Sequence, residues 1–213
     1  MSVHYSFAGA LFCHKEVIGN HLLAESIRES SGGKYVANLP QREENQLRPQ
    51  PLAIRDNDYR LLLESQLALF NFDGTDLDSG TVAEFLAARF LDLPCVLLRT
   101  DFRSAGDQNA DGEKWNLMCS GYPHTKVVSI GAMDLYQKHF RDGVPLLESL
   151  RKFYGELSGI LVGMFEDVMR EPWCFENRAE AERIYRHFVR VCGGSLPLQF
   201  DEERIASVIS ARG

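Results

Sequence analysis

The stretch QLALFNFDGTDLDSGTVAEFL, residues 66–86, contains the transition that decides the fold. Residues 66–72 form an apolar run of the length of a buried strand, and residues 81–90 have apolar positions at helical spacing. An acidic loop, residues 73–78, and the turn Ser79-Gly80 lie between them. A buried strand followed by an amphipathic helix is the repeating unit of a parallel sheet with crossover helices.

The same alternation extends in both directions along the first two thirds of the chain. It predicts strands at residues 3–12, 35–39, 66–72, 94–98 and 126–130. It predicts helices at residues 14–30, 56–64 and 81–90, and polar loops at residues 40–51 and 101–114. These elements predict an α/β fold with a flavodoxin-like, doubly wound parallel sheet of about five strands.

From about Leu135 onward the pattern is helical only, with helices expected at residues 144–169, 178–191 and 202–209. We therefore expect an α/β domain in residues 1–134 and a C-terminal helical extension in residues 135–213. An amphipathic extension of this kind packs on the core or on a neighbouring subunit.

The composition limits the class of partner. The 213 residues are 45% hydrophobic and 25% charged, with 23 basic and 30 acidic side chains and a net charge of −7. Nucleic-acid binding needs clustered Lys and Arg for phosphate contacts, so this balance argues against a nucleic-acid partner. It is compatible with a neutral nucleoside.

Cysteine spacing and the N-terminus indicate the compartment. The five cysteines are far apart and form no CxxC pair, so neither a zinc nor a redox site is expected. The apolar run at residues 5–13 is too short, and its start too weakly basic, for a signal peptide. No segment reaches the roughly 20 apolar residues of a membrane helix. We expect a cytoplasmic protein with no membrane contact and no metal.

Candidate chemistry lies where strands end, because ligands of open α/β sheets bind beyond the carboxyl ends of the strands. Gly9, at the end of the first strand, lets a ligand approach the backbone closely. Asp78 can cap a helix or bind a ligand hydroxyl, and Glu84 among apolar neighbours is a candidate nucleophile or base. The same spacing fits an ordinary helix start, with Asp78 as N-cap and Glu84 as a solvated acid.

Four segments, taken in chain order, resemble the nucleoside 2-deoxyribosyltransferase family. They are FAGALF at residues 7–12, Asp58, DSGTVAE at residues 78–84, and Asn116-Leu117-Met118. The resemblance covers roughly residues 3–130, and the acidic segment lies between a third strand and a helix, as in the family.

The resemblance implies a role for each matching residue. Glu84 would attack the anomeric carbon of the deoxyribosyl group and form a covalent intermediate, and Asp58 would protonate the leaving base. Asp78, beside Ser79 and Gly80 in the substrate-binding turn, would hydrogen-bond the 5′-hydroxyl. Two carboxylates in these roles resemble a retaining glycosidase.

The family also implies an assembly and a set of ligands. Asn116 and Met118 would shape the sugar site, in the family often that of an adjacent subunit. The implied partners are a 2′-deoxyribonucleoside, a free nucleobase and further copies of the chain in a dimer or larger homo-oligomer. No cofactor is implied, because carboxylates stabilise an oxocarbenium-like transition state.

Three further positions complete the predicted site. The family has a first-strand Tyr that orients the nucleophile; the aligned residue here is Ser6, with Tyr5 beside it. Neighbouring strand residues point to opposite faces, so Tyr5 takes this role only if a local bulge turns it. Gln41 and Phe12 are the predicted base contacts, by hydrogen bonding and stacking, although they also suit a solvated loop and a core position.

Two other functions stay open. One is N-glycosidic hydrolysis of a 2′-deoxynucleoside or of a deoxynucleoside 5′-monophosphate, although Asp78 would repel a 5′-phosphate. The other is a non-catalytic nucleotide-binding protein of the same fold. The displaced Tyr5 and the helical extension support this alternative.

Overall fold

The computed structural model describes residues 2–43, 51–103 and 115–212. Its strands are β1 (Val3–Gly9), β2 (Tyr35–Asn38), β3 (Leu67–Asn71), β4 (Cys95–Arg99) and β5 (Thr125–Ser129). Its α-helices are α1 (His14–Ser30), α2 (Pro40–Glu43), α3 (Pro51–Glu64), α4 (Ser79–Phe90), α5 (Ala132–His139), α6 (Leu146–Val168), α7 (Arg178–Cys192), α8 (Leu196–Gln199) and α9 (Glu202–Ser210). Residues Leu117–Cys119 form a short 3₁₀ helix.

The five strands form one parallel sheet in the order β2-β1-β3-β4-β5. The predicted flavodoxin-like α/β fold is therefore confirmed. The chain moves outward from β1 to β2 and then returns to the other side of β1 to build β3. The connections that leave β1 and β3 therefore run in opposite directions across the sheet. Sheets of this kind bind ligands in the crevice between the carboxyl ends of two such strands.

One face of the sheet is covered by α1, α5 and α6. Tyr5 and Phe7 from β1 project into this layer and pack with Leu161 and Phe165 from α6. The Phe165 ring lies 5.1 Å from the rings of both Tyr5 and Tyr35, measured between centroids. This aromatic contact joins β1 and β2 to α6, whose Phe165 lies 160 residues beyond Tyr5 and 130 residues beyond Tyr35.

The opposite face is covered by α3, α4 and the three C-terminal helices α7, α8 and α9. Phe70 from β3, Phe85 from α4 and Tyr185 from α7 share this second core, and the Tyr185 hydroxyl donates a 2.8 Å hydrogen bond to Leu91 O. Residues after 134 thus contribute to both faces. The predicted domain boundary, between residues 134 and 135, falls inside α5.

Several element boundaries differ from the sequence-based expectation. β1 ends at Gly9 rather than residue 12, and α5 was not predicted. α3 begins at Pro51, five residues before the expected start, because proline fits the first turn of a helix, where its missing N–H is not needed. The predicted loop at residues 40–51 begins with α2, and its residues 44–50 lie outside the described residues, as do residues 104–114 of the second predicted loop. No helix of the described ranges has the length and apolarity to cross a membrane.

Replacing Phe165 by Ala should lower the free energy of unfolding by about 3–5 kcal/mol, because it removes a large ring from a packed core and leaves a cavity. Phe90, at the end of α4, is 72% exposed, so Phe90→Ala is the matched control and should change stability by less than about 0.5 kcal/mol. Urea unfolding followed by circular dichroism measures both. Similar losses for the two variants would contradict the assigned core.

Candidate active site

A cavity of about 380 Å³ lies at the carboxyl end of β1, between α3 and the start of α4. Its walls contain three carboxyl groups, from Asp58, Asp78 and Glu84. The remaining lining residues are Ala8, Gly9, Leu11, Phe12, Pro40, Pro51, Ile54, Arg55, Tyr59, Gly80, Thr81 and Ala83. The structure therefore brings together six of the predicted site residues, at the end of the sheet where a ligand was expected.

The start of α4 fixes the first carboxylate. Asp78 is the N-cap: its Oδ2 accepts hydrogen bonds from Thr81 N at 2.7 Å and from Thr81 Oγ1 at 2.8 Å. Such a cap satisfies a backbone N–H that has no partner within the helix. Its other oxygen, Oδ1, takes no part in these two bonds. Asp78 is therefore a helix cap whose second oxygen can accept a bond from a ligand hydroxyl, so the two interpretations of this residue are compatible.

Glu84 has an unusual protonation equilibrium. Burial raises the pKa of Glu84 to about 8, and repulsion by the carboxylates of Asp58 and then Asp78 adds to the increase. At neutral pH Glu84 thus keeps a proton that a solvated glutamate would have released. Shifts of this kind concentrate at functional sites.

One face of α3 forms the opposite wall. Pro51, Ile54, Arg55, Asp58 and Tyr59 all line the cavity, and their spacing of three and four residues places them along one side of a helix. Ile54 and Arg55 were not predicted, because the helix was expected to begin only at residue 56, whereas Tyr59 was expected in that helix but not in the site. Counting back from Asp58 in steps of three and four residues leads to Arg55, Ile54 and Pro51, so helical spacing could have identified this wall from the sequence.

Gly9 and Phe12 form the edge of the cavity next to β1. A Cβ at Gly9 would lie only 3.0 Å from the Cβ of Asn71 on β3, so the close approach of the two strand ends favours glycine there. Phe12 follows the strand and is 78% exposed, although it lines the cavity. An exposed aromatic ring at the edge of a cavity is well placed to stack on a planar ligand.

Tyr5 lies on the wrong face of the sheet for the predicted role. Its ring packs against Phe165 on the α6 side, whereas Ser6 and Ala8 point toward α3 and α4, where Glu84 lies. No bulge turns Tyr5, because β1 pairs in regular register with both neighbours. The Tyr5 hydroxyl is buried without a hydrogen-bond partner among the described residues, and burial raises its pKa.

Four other predicted residues lie outside the cavity within one chain. The Gln41 side chain donates to Val17 O at 3.3 Å, which turns its amide toward α1. Ser79 is exposed at the first position of α4. Asn116 Oδ1 accepts from Met118 N at 2.9 Å and caps the 3₁₀ helix, and Met118 is 74% exposed. That helix packs against α4.

A second cavity, of about 700 Å³, opens on the other face of the sheet between α1 and α6. Its acids already have structural partners: Asp73 accepts from Thr100 N, Thr100 Oγ1 and Asp101 N, at 2.5–2.9 Å. The Glu16 carboxylate caps the start of α1 through Phe12 N and Cys13 N. The acids Asp73 and Glu16 of this second cavity are therefore used as structural hydrogen-bond acceptors. Within the three described ranges, no group of His, Cys, Asp and Glu side chains is arranged to hold a metal ion.

No protein-family model and no curated protein matches the chain significantly. Solved structures do match. A conserved protein from Enterococcus faecalis V583 is 26% identical with a TM-score of 0.51, and the match covers 64% of this chain and 96% of that one. A 2-deoxyribosyltransferase from the psychrotolerant bacterium Bacillus psychrosaccharolyticus is 16% identical with a TM-score of 0.41, over 48% and 77%.

These likenesses are ones of fold. The first protein is described only as conserved, and the second is too remote in structure to argue from. A shared fold hosts many activities, so the function must be argued from the cavity itself.

Glu84→Gln should stabilise the protein at alkaline pH. The folded pKa of about 8 exceeds the ordinary 4.5, so the folded state holds more protons than the unfolded state between these values. Stability contributed by the proton is complete below pH 4.5 and is lost as pH rises through 8. Because glutamine cannot ionise, the variant should gain up to about 5 kcal/mol at pH 9 and almost nothing at pH 4.5.

Urea unfolding at both pH values measures this difference. Glu29→Gln, at an exposed site on α1, is the matched control and should show no such pH dependence. A constant stability difference between Glu84→Gln and the natural protein across this range would contradict the burial of the Glu84 charge.

Proposed function

We propose that the protein is a nucleoside 2-deoxyribosyltransferase, which cleaves the N-glycosidic bond of a 2′-deoxyribonucleoside and transfers the sugar to another nucleobase. The observation that carries the proposal is the convergence of Asp58, Asp78 and Glu84 on one cavity, from two helices at the carboxyl end of the sheet. Glu84 is the nucleophile, Asp58 the acid and base, and Asp78 the ligand of the sugar 5′-hydroxyl.

The protonation of the cluster supports these roles. Retaining glycosyl transfer needs one ionised carboxylate as nucleophile and one protonated carboxyl group as acid. The raised pKa of Glu84 means that this pair keeps one proton at neutral pH. When the proton resides on Asp58, Glu84 is the free carboxylate and the pair is in the reactive form. Ground-state protonation of Glu84 is then a modest barrier, which sugar binding can reduce.

The charge of the cavity favours an unphosphorylated sugar. A phosphate dianion beside Asp78 would face the other two carboxyl groups of the cavity as well, and like charges repel strongly in partly buried surroundings. A hydroxyl group at the same place can donate to Asp78 Oδ1. A deoxynucleoside 5′-monophosphate is therefore the less favoured substrate.

The proposal includes an oligomer. The 3₁₀ helix exposes Leu117 and Met118, by 51% and 74%, beside its N-cap residue Asn116. Exposed apolar side chains next to a polar one suit a subunit contact, and from there Asn116 and Met118 would reach the cavity of a neighbouring copy. Asn116 and Met118, which lie outside the cavity of their own chain, would then complete the cavity of the neighbouring chain.

Base exchange is the direct test. Purified protein is incubated with deoxyinosine, with and without free adenine, and the products are separated by chromatography. We expect deoxyadenosine only when adenine is present. Glu84→Ala should lower the rate at least about 10³-fold, since loss of a nucleophile removes the covalent route. Glu29→Gln, the exposed control on α1, should keep full activity.

The other outcomes separate the competing functions. Free hypoxanthine without deoxyadenosine would identify a hydrolase. Absence of any product from this substrate and from a pyrimidine deoxynucleoside would contradict both catalytic functions and favour the non-catalytic nucleotide-binding protein.

The pH profile tests the division of roles between Asp58 and Glu84. The reactive pair holds one proton, so kcat/KM should fall above a pKa of about 8, where that proton is lost. Asp58→Asn removes both the acid and the charge that repels Glu84. It should lower kcat/KM about 10²–10³-fold and abolish the alkaline fall. Rates measured from pH 5 to pH 10 give both results, and an alkaline fall that persists in Asp58→Asn would contradict the assignment.

A further inference from the structure

Helix α3, which carries Asp58, is held near its start by the C-terminal helices. Asp56 is 3% exposed, and its Oδ2 accepts from Ser195 N at 2.6 Å and from Ser195 Oγ at 2.9 Å. Its Oδ1 accepts from Arg55 Nη2 at 2.6 Å, and the same Nη2 donates to Cys192 O at 3.0 Å. A buried carboxylate with this many bonds is costly to displace.

The turn before Ser195 is shaped for this contact. Gly194 has φ +61°, and a Cβ there would overlap both carboxylate oxygens of Asp56. Only glycine lets the backbone between α7 and α8 approach this closely and accept a left-handed conformation. Next to this contact, the rings of Tyr59 and Phe188 meet edge to face at 5.5 Å, which ties a cavity residue to α7.

The other end of α3 is held by a second residue from the same region. Arg212 donates to Leu62 O, Leu63 O and Ser65 O at 2.7–3.1 Å. Two of these are carbonyls of the last helical turn, to which no N–H within the helix donates, and a cation there also complements the helix dipole. The guanidinium lies 5.1 Å from the centre of the Tyr185 ring.

These contacts leave α3 with two distinct faces. The cavity face presents Asp58 and Tyr59, and Asp56 faces the turn between α7 and α8. Axial sliding or rotation of α3 would break the Asp56 and Arg212 anchors together, and it would move Asp58 relative to Glu84. A displacement of about 1 Å in a catalytic group can cost about 100-fold in rate.

We propose that Asp56, through Ser195, is a positioning residue that sets the location of Asp58 for proton transfer, with Arg212 fixing the far end of the same helix. This inference rests on the proposed transferase activity. It assigns the C-terminal helices a part in the reaction: they hold the acid in place without touching the substrate.

The test uses Asp56→Asn and two substrates that differ in their need for an acid. Deoxyguanosine has a neutral base that must be protonated on leaving, whereas the base of 7-methyl-2′-deoxyguanosine is already cationic. We expect Asp56→Asn to lower kcat on deoxyguanosine about 10–100-fold, with KM changed less than about 3-fold. On the methylated substrate the loss should be less than about 3-fold. In an Asp58→Asn background, adding Asp56→Asn should cost less than about 3-fold on either substrate.

Matched variants separate positioning from folding. Ser195→Ala removes one bond to Asp56 and should give a smaller loss of the same pattern, and Ser195→Thr should restore the rate because it keeps the hydroxyl. Arg204→Gln removes the exposed 2.8 Å contact with Glu64 at the end of α3 and should leave both rates unchanged. Ser195→Ala decides the question if Asp56→Asn does not fold, as judged by thermal melting.

Equal losses on the two substrates, or full rates in folded Asp56→Asn and Ser195→Ala, would overturn the positioning role while leaving the transferase intact. Inactivity of the natural protein on both substrates would instead overturn the proposed function, and the positioning role with it.

Discussion

The mutual repulsion of three carboxyl groups in one partly buried cavity is the constraint on which the rest of the site depends. Asp58, Asp78 and Glu84 can share the cavity only because one of them keeps a proton and another is held by hydrogen bonds. Asp78 gains its bonds from the start of α4, which also delivers Glu84 from the next turn. The helix thus stabilises the charge of Asp78 through hydrogen bonds, and it places Glu84 where ionisation is unfavourable. The raised pKa of Glu84 is the result.

The sheet supplies the geometry that makes this arrangement possible. Strand order β2-β1-β3-β4-β5 opens a crevice beside the end of β1, and α3 and α4 pack over the same face with Asp58 and Glu84 at the cavity. Hydrophobic burial by Phe70, Phe85 and the leucines of α3 holds the helices in place beneath the cavity. The apolar layer therefore supplies the stability of this part of the fold. The protein can thus tolerate the unfavourable burial of carboxyl groups in the cavity above that layer.

Local sequence patterns predicted the sheet and much of the site, and long-range contacts limited the rest. The strand-turn-helix at residues 66–86 contains both the periodicity of the fold and two of the three acids, so a short stretch was sufficient there. Alternation along β1 places Tyr5 and Ser6 on opposite faces of the sheet, but the sequence does not show which face α6 covers. The predicted contact of Tyr5 with the nucleophile fails because Tyr5 is on the α6 face. Pro51, Ile54 and Arg55, which line the cavity from the first turns of α3, were missed because that helix was expected to begin only at residue 56. No local signal connects Asp56 to Ser195, since the two are 139 residues apart.

That separation gives the Asp56 anchor a distinctive place in the folding of the chain. Closing a loop of 139 residues costs on the order of 4 kcal/mol of chain entropy, and the two hydrogen bonds from Ser195 mainly compensate the burial of the Asp56 charge. The apolar face of α7, α8 and α9, through residues such as Tyr185 and Ile205, must offset that entropy cost. The order of assembly is thus set by contact order: the local strand-helix units can form early, whereas the α3 anchor can close only when the C-terminal helices have docked. A chain can in this way have a complete sheet before α3, and with it Asp58, is fixed in place beside the cavity.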